Sequence, residues 1–243
     1  LGGAELPAEK KQRFLQIQEE LSKLSSKFND NLLDATNAFS IYIEDADTVA
    51  GIPADVLQAA LEQAKSDGKT GWKFTLHMPS YLPVMQYADN RDFRAQMYRA
   101  YAIRASEFDS QTGSDQDNMP LINKILKLRQ EAARILGYQN YAEVSLATKM
   151  ATSPQQVLDF LKKLALKAKP YATKDLQALQ QFAAEKLNLQ TLEAWDLAYV
   201  SEKLQQARYD FSDQEIKHYF PEERVLAGMF RLVEKIYGIH MSQ

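Results

Sequence analysis

The sequence predicts a mainly α fold, a bundle of long helices with one or two short strands. Apolar residues recur at steps of three and four over long stretches, which is the spacing of one helix face. Serine or asparagine with an acid or glutamine three residues later marks several helix starts. Only two short runs have the β-branched and aromatic content of strands.

The composition excludes several classes of function. The 243 residues carry a net charge of −3, with 29 basic and 32 acidic residues interspersed, so no basic face for nucleic acid is predicted. The absence of cysteine excludes disulfides and thiolate chemistry. No apolar run approaches the roughly 20 residues of a membrane span, and no signal core opens the chain. We expect a soluble cytoplasmic protein without membrane or nucleic-acid partners.

The first predicted element is a helix from Pro7 to about Phe39. Its apolar stripe comprises Phe14, Ile17, Leu21, Leu24, Phe28, Leu32, Ala35 and Phe39. A helix of about 50 Å must lie across a larger body or pair with another long helix. Short extended segments are predicted at 40–44 and 72–76. Between them, a helix begins at Pro53 and ends at Gly68.

A polar stretch divides the chain near its middle. The prolines at 79 and 83 leave room for only a short helical turn, which a helix over 93–105 follows. Residues 107–118 are polar and form the best loop or boundary. We therefore divide the chain into residues 1–106, the long helix with short strands and helices, and residues 107–243, a helical region.

The second part contains three further predicted helical stretches with clear ends. One runs over 119–136 and stops at Gly137, which tolerates the left-handed conformation. Asn140 then caps a short helix, and Ser153 caps a long one that Pro170 should kink or divide. The lysines at 162, 163, 167 and 169 favour a solvated face over a membrane surface, because acids and glutamines follow them.

The last predicted helix follows a second capping box, Ser212-x-x-Glu215. It begins at Pro221 and ends at Gly238.

Aromatic residues are concentrated around Trp195, between two long helical regions. Rings bury large areas and demand specific partners, so we expect the neighbouring helices to fold onto this segment. Trp195 is predicted to be core rather than part of a ligand pocket. Asp196 and Tyr199 could face a cavity, but packing is the favoured interpretation.

Motifs for catalysis or metal binding are absent from the sequence. The three histidines, His77, His218 and His240, include no pair four residues apart. Glu215 and His218 have a spacing used in di-iron bundles, but such a site needs a second motif and two further glutamates. No catalytic and no metal-binding residue is predicted, and substrate-binding residues remain unassigned. We expect His77 to be a half-buried strand-end residue and His240 to lie on the surface.

Two weaker patterns also favour structural roles. Glu44, Asp45 and Asp47 lack the acidic spacing and terminal glutamate of a calcium loop, so they are interpreted as turn acids. The sequence Gly68-Lys69-Thr70 imitates the end of a phosphate-binding loop. It lacks the earlier glycine of that loop and follows a predicted helix, so we interpret it as a turn.

Several separated motifs resemble one enzyme family. They are Tyr81-Leu-Pro-Val-Met, Ser145-Leu-Ala-Thr-Lys-Met, Trp195-Asp-x-x-Tyr and Tyr219-Phe-Pro-Glu. In this order they resemble the oligopeptidase A and thimet oligopeptidase family of zinc metallopeptidases, over nearly the whole chain. Val200 departs from the pattern, because a second tyrosine is expected there.

The resemblance implies a fold and an activity. Both parts of the chain would belong to one larger fold of the neurolysin and zincin-like peptidase architecture, with a deep channel that admits short peptides. This chain would be an internal fragment that forms a wall of that channel. A C-terminal half, which is missing here, would hold the zinc ion through His-Glu-x-x-His, so the fragment would bind no zinc and be inactive alone.

An alternative function comes from a different class. The chain could be a non-enzymatic helical scaffold, or protein-interaction module, whose long N-terminal stripe docks a partner. The gene beyond Gln243 discriminates the two, since only the peptidase requires His-Glu-x-x-His there.

Overall fold

Helices account for most of the residues that the computed structural model describes, which are 2–109, 116–210 and 213–240. They are α1 (Ala8–Ala38), α2 (Ala54–Ser66), α3 (Met78–Tyr87), α4 (Arg91–Ala102), α5 (Met119–Ile135), α6 (Tyr141–Leu146), α7 (Pro154–Lys186), α8 (Leu197–Tyr209), α9 (Asp213–Lys217) and α10 (Glu222–Tyr237). Two strands, β1 (Ser40–Ile43) and β2 (Trp72–Thr75), and a 3₁₀ turn at Ala194–Asp196 join them. The predicted mainly α fold is confirmed.

The long first helix pairs with another helix, as its length predicted. Phe14 and Ile17 of α1 are buried against Leu128 and Ala132 of α5. Arg13 adds a two-pronged ion pair at the rim of this contact, with its Nε and Nη2 atoms 2.6 and 2.7 Å from the Glu131 carboxylate oxygens. Apolar packing and an ion pair therefore fix α1 against α5.

One residue of the predicted α1 stripe is misplaced. Leu32 is exposed, and its neighbour Asn31 is buried instead. The Asn31 Nδ2 atom donates to Asn118 Oδ1 over 2.9 Å, and Asn118 in turn donates to the Phe28 carbonyl. The polar start of α5 therefore requires a polar partner on α1, which periodicity alone does not reveal.

The two strands form an antiparallel pair in which Ile41 lies opposite Phe74. Gly71 enters β2 with a φ of +80°, and a Cβ atom there would collide with the Ile43 carbonyl oxygen. Phe74 and Leu76 are buried on one face, as the alternating pattern predicted. Helix α2 packs against β2 and so supports the strand pair.

The main core lies between this sheet and helices α3 and α4. Phe74 meets Phe93 edge to face at 5.2 Å between ring centroids, and Tyr81 stacks on Tyr101 at 4.3 Å. Helix α3 is longer than the predicted short turn because Pro79 lies in its first turn, where a missing N–H costs nothing. The helix also continues through Pro83.

Of the two outcomes predicted at Pro170, a kink or a division of the long helix, the division is wrong. Helix α7 runs unbroken for 33 residues with Pro170 inside it. The residues on both sides are mostly alanine, leucine and lysine, which favour helix strongly enough to outweigh the one backbone bond that proline removes. Ser153 caps its start as predicted, accepting from the Gln156 N–H.

Most of the other predicted helix ends agree with the structure, but α4 ends at Ala102, before the predicted end at 105. Asn140 caps α6, and Gly137 and Gly238 adopt left-handed φ angles of +85° and +66°. Ser212, predicted to cap a helix, lies outside the described residues, as do residues 110–115 of the polar stretch at 107–118. In the described segments, no helix is both long enough and apolar enough to cross a bilayer.

Candidate functional site

The Trp195 segment does organise the surrounding helices, through the buried carboxylate of Asp196. The 3₁₀ turn carries this residue into the interior, where it is 0% exposed. The Glu193 N–H donates to Asp196 Oδ2 over 3.0 Å, which fixes the carboxylate at the start of the turn. The buried Asp196 side chain thus satisfies the Glu193 N–H at the start of the 3₁₀ turn.

Two arginines of α4 neutralise this carboxylate. Arg91 Nη2 lies 2.6 Å from Asp196 Oδ2, and Arg94 Nη2 lies 2.8 Å from Oδ1. Burial alone would raise the pKa of Asp196, but hydrogen bonds from Arg91, the Glu193 N–H and Arg94 outweigh it and lower the pKa below its usual value. Asp196 is therefore ionised at neutral pH.

Arg94 extends the network to α8. Its side chain, 1% exposed, donates to the Ala88 carbonyl over 2.7 Å and stacks over the Tyr199 ring at 4.0 Å. The Tyr199 hydroxyl donates to Asp89 Oδ1 over 2.8 Å. We call Asp89, Arg91, Arg94, Asp196 and Tyr199 the Asp196 cluster, which joins α4, the 3₁₀ turn and α8.

The chemistry of the Asp196 cluster is that of a brace. Both oxygens of Asp196 are occupied by guanidinium donors, so the carboxylate is not available as a base. Burial, the hydrogen bond to Asp89 and the Asp89 charge raise the pKa of Tyr199 to about 12, so its phenol stays protonated at neutral pH. Asp196 and Tyr199 are both buried, as the favoured packing interpretation predicts.

Trp195 also behaves as predicted. It is partly buried and packs against the main core, with its ring 6.1 Å from that of Tyr98.

Sequence reasoning missed the arginine partners. Arg91 and Arg94 are three residues apart at the start of a helix, so they share one face. Arg94 also lies three residues before the buried Met97, on the apolar side of α4. A charged residue inside an apolar stripe was the available signal for a buried ion pair.

A cleft of about 570 Å³ lies between the sheet and helices α2 and α3. It is lined by Asn37, Phe39, Ser40, Asp55, Val56, Ala59, Ala60, Gln63, Lys73, Thr75, His77, Pro79 and Ser80. Its charged groups are already engaged, since Asp55 pairs with Lys217 of α9 and Lys73 pairs with Asp67. The lining is mixed, with no convergent set of unpaired polar groups to define a ligand.

The three histidines lie in separate places. His77 occupies the N-cap position of α3, and its side chain is exposed. Its predicted half-buried position is therefore wrong. His218 follows α9 and is exposed. His240 lies on the surface as predicted, with its Nδ1 atom 2.9 Å from Glu234 Oε1.

The arrangement does not fit a zinc ion. Across residues 2–109, 116–210 and 213–240, no three histidine, aspartate or glutamate side chains converge as metal ligands. The full sequence has no pair of histidines four residues apart. The donors that a peptidase zinc site requires are therefore not assembled by these described residues.

The acidic and phosphate-loop patterns have structural roles. Asp45 accepts from the Thr48 hydroxyl and from the Asp47 and Thr48 N–H groups, which lowers its pKa and confirms it as a turn acid. The Thr70 hydroxyl donates a hydrogen bond to the Glu44 carboxylate. Lys69 lies 3.9 Å over the Tyr42 ring, so the Gly68-Lys69-Thr70 turn makes local contacts.

Comparison with known proteins places the chain in a family. The model of "Peptidase family M3" matches residues 84–243. Oligopeptidase A of Haemophilus influenzae is 47% identical over 98% of this chain and 35% of its own length. Oligopeptidase A of Escherichia coli is 46% identical over 98% of the chain and 35% of its length. The probable cytosolic oligopeptidase A of Arabidopsis thaliana is 41% identical over 98% and 34%.

The chain thus spans about a third of the length of these relatives. The family match covers more than half of the chain itself and includes the Asp196 cluster and helices α4 to α10. The motifs quoted from the sequence alone predicted this result. The chain belongs to peptidase family M3.

Proposed function

We propose that this chain is a fragment of a zinc-dependent metalloendopeptidase of the oligopeptidase A type, which hydrolyses short peptides. One observation carries the proposal: relatives named oligopeptidase A are 46–47% identical to it over 98% of its length. Identity at this level over the whole chain supports the same packing and the same place in the parent protein. The fragment would contribute to the same molecular task.

The chain would act as structure within that enzyme. The buried charges of the Asp196 cluster, Arg94 and Asp196, pair with each other and offer no free acid or base to a substrate. The zinc ion, which would activate water for peptide hydrolysis, would be held by a His-Glu-x-x-His motif in the remaining C-terminal half. We therefore propose that this segment binds no zinc and is inactive alone.

A wall of the peptide channel is the proposed structural role. The pairing of α4 with the 3₁₀ turn through Arg94 and Asp196 would hold such a wall in a fixed shape. Arg94, Asp196 and Tyr199 of the cluster are buried, so other side chains would line the channel. No residue of this chain is assigned to peptide binding.

The proposed division at residues 106 and 107 would not separate independent bodies. Helix α1 packs on α5, α3 contacts α8 and α4 contacts the 3₁₀ turn, so contacts cross the division at several places. These contacts support two parts of one larger peptidase fold. The name of the plant relative supports a cytoplasmic location.

A peptidase assay tests the proposal. The purified 243-residue chain, supplied with zinc and an internally quenched fluorogenic peptide, should show no turnover. The protein encoded by the complete gene should cleave the same peptide and lose activity to a chelator. Zinc-dependent cleavage by the short chain, or a complete gene without His-Glu-x-x-His, would contradict it, and the latter result would favour the scaffold alternative.

A further inference from the structure

Helix α7 leaves most of its length bare. Every residue from 158 to 177 is exposed, a stretch of about 30 Å at 1.5 Å per residue. Seven large apolar side chains of α7 are among the exposed ones: Leu158, Phe160, Leu161, Leu164, Leu166, Tyr171 and Leu176. A helix without packing is marginally stable in water, so residues 158–177 lack a packing partner among the described residues.

The bare residues form a stripe rather than a scatter. At about 100° per residue, Leu158, Leu161, Leu164 and Leu176 fall within one half of the helix circumference. Lys163, Lys167 and Lys174 lie on the opposite side of α7, and Lys162 and Lys169 border the stripe. A helix with one apolar side and one lysine-rich side is expected to pack against another apolar surface on the first and to face solvent on the second.

The stripe continues an interface that already exists. On the same side near the C-terminal end of α7, Ala183 is buried against Tyr199 and Val200 of α8, with Leu179 and Phe182 packed beside it. Residues 158–177 of α7 therefore continue the same apolar side, and the described residues do not cover it.

Helix α10 repeats the pattern. None of its 16 residues is buried. Exposed apolar side chains include Val225, Leu226, Met229, Leu232 and Ile236, which share one side of the helix. Two separate helices thus present apolar stripes at one end of the chain.

We infer that the stripes of α7 and α10 are the contact surface for the rest of the same polypeptide, which seats apolar helical segments on them. This inference rests on the proposed function. Relatives that match 98% of this chain are about three times as long, so a large further body of chain folds with this segment in those proteins. Exposed patches of this extent mark interaction sites.

On α10, charge favours that occupant over a membrane. A surface helix that binds anionic lipid carries mostly lysine and arginine on its polar side. Helix α10 instead carries three acids, Glu222, Glu223 and Glu234, and three bases, Arg224, Arg231 and Lys235. Balanced charge suits a protein surface and gives no attraction to lipid head groups.

Hydrogen–deuterium exchange tests the inference, comparing the 243-residue chain with the protein encoded by the complete gene. We expect residues 158–177 and 222–237 to exchange at least 100-fold more slowly in the longer protein. Leu161→Glu with Leu164→Glu should abolish much of that protection. Leu166→Glu is the matched control, because Leu166 lies about 140° around the axis from Leu161 and about 160° from Leu164.

Three results would overturn the inference. The first is equal exchange in the two proteins. The second is self-association of the short chain in sedimentation that Leu161→Glu abolishes, which would make a second copy the occupant. The third is binding of the short chain to anionic phosphatidylserine vesicles. The exchange readout requires no zinc and no peptide cleavage, so an inactive longer protein would refute the proposed function and leave this inference standing.

Discussion

The main core with the Asp196 cluster differs from the outer helices α7 and α10 in which charged and apolar residues are buried. In the core, even the ionised Asp196 and Arg94 are buried, and each is fully paired. On α7 and α10, leucine and methionine side chains lie in water. The first region is complete by itself, because it satisfies charges that it has taken out of water. The second region is folded but unfinished, because its apolar sides have no partner in the described residues.

The largest expected effect tests the completeness of the core. Asp196→Ala leaves two guanidinium groups near each other without their carboxylate, one of them buried. We predict a loss of about 3–5 kcal/mol in the free energy of unfolding, measured by urea denaturation of the 243-residue chain. The control is Asp55→Ala, whose partner Lys217 is largely exposed, and it should cost less than about 1 kcal/mol. Equal costs for the two variants would show that the Asp196 cluster is not a brace.

The next effect concerns the departure from the family pattern. Val200 is fully buried against α7, so Val200→Tyr must force a ring into filled space. We predict destabilisation by about 1–3 kcal/mol. Leu197→Tyr on the same helix is the control, because Leu197 is exposed and should tolerate the change. A neutral Val200→Tyr would reveal room for the tyrosine that the family pattern leads us to expect.

A smaller effect is expected at the edge of the Asp196 cluster. Tyr199→Phe removes the hydroxyl that donates to Asp89 and should cost about 1 kcal/mol. Tyr171→Phe provides the comparison, because that ring is exposed on α7. A neutral Tyr199→Phe would mean that the ring and not the hydroxyl joins α8 to the core.

The pH dependence of the core has a definite sign. The pKa of Asp196 is lowered in the folded chain, so its stabilising contribution is present above the unfolded-state value of about 3.9 and is lost as pH falls through the folded-state value. The stability difference between the wild type and Asp196→Asn should therefore be constant near neutral pH and shrink in acid. A difference that grows below pH 4 would contradict the lowered pKa.

The smallest effect is expected on the outer helices. In the 243-residue chain, Leu161→Glu and Leu166→Glu should each change the free energy of unfolding by less than about 0.5 kcal/mol, because both side chains are exposed and both residue types favour helix. The two variants differ only in whether the stripe is touched. A large loss for Leu161→Glu alone would show that the stripe is already covered in the short chain.

Local sequence patterns predicted most helices and both strands. Periodicity located α1 and α5, and side-chain caps at Asn140 and Ser153 marked the starts of α6 and α7. These signals act within a few residues, which is why they can be seen without the fold.

Long-range partners were the part that patterns could not supply. The side chains of Asp196 and Arg91 meet across more than one hundred residues, and Asn31 meets Asn118 across the gap between α1 and α5. Only the fold decides which polar groups are buried together. The continuity of α7 through Pro170 was missed for a different reason, because the summed preference of many residues outweighed one local breaker.

Residue-resolved hydrogen exchange of the 243-residue chain tests the contrast between the two regions most directly. We predict slow exchange, set by global unfolding, for Phe74, Arg94 and Val200, which lie in the buried core. Amides from 158 to 177 and from 222 to 237 should exchange through frequent local opening. Uniform slow exchange across both regions in a monomeric chain would contradict the claim that one region is complete and the other is not.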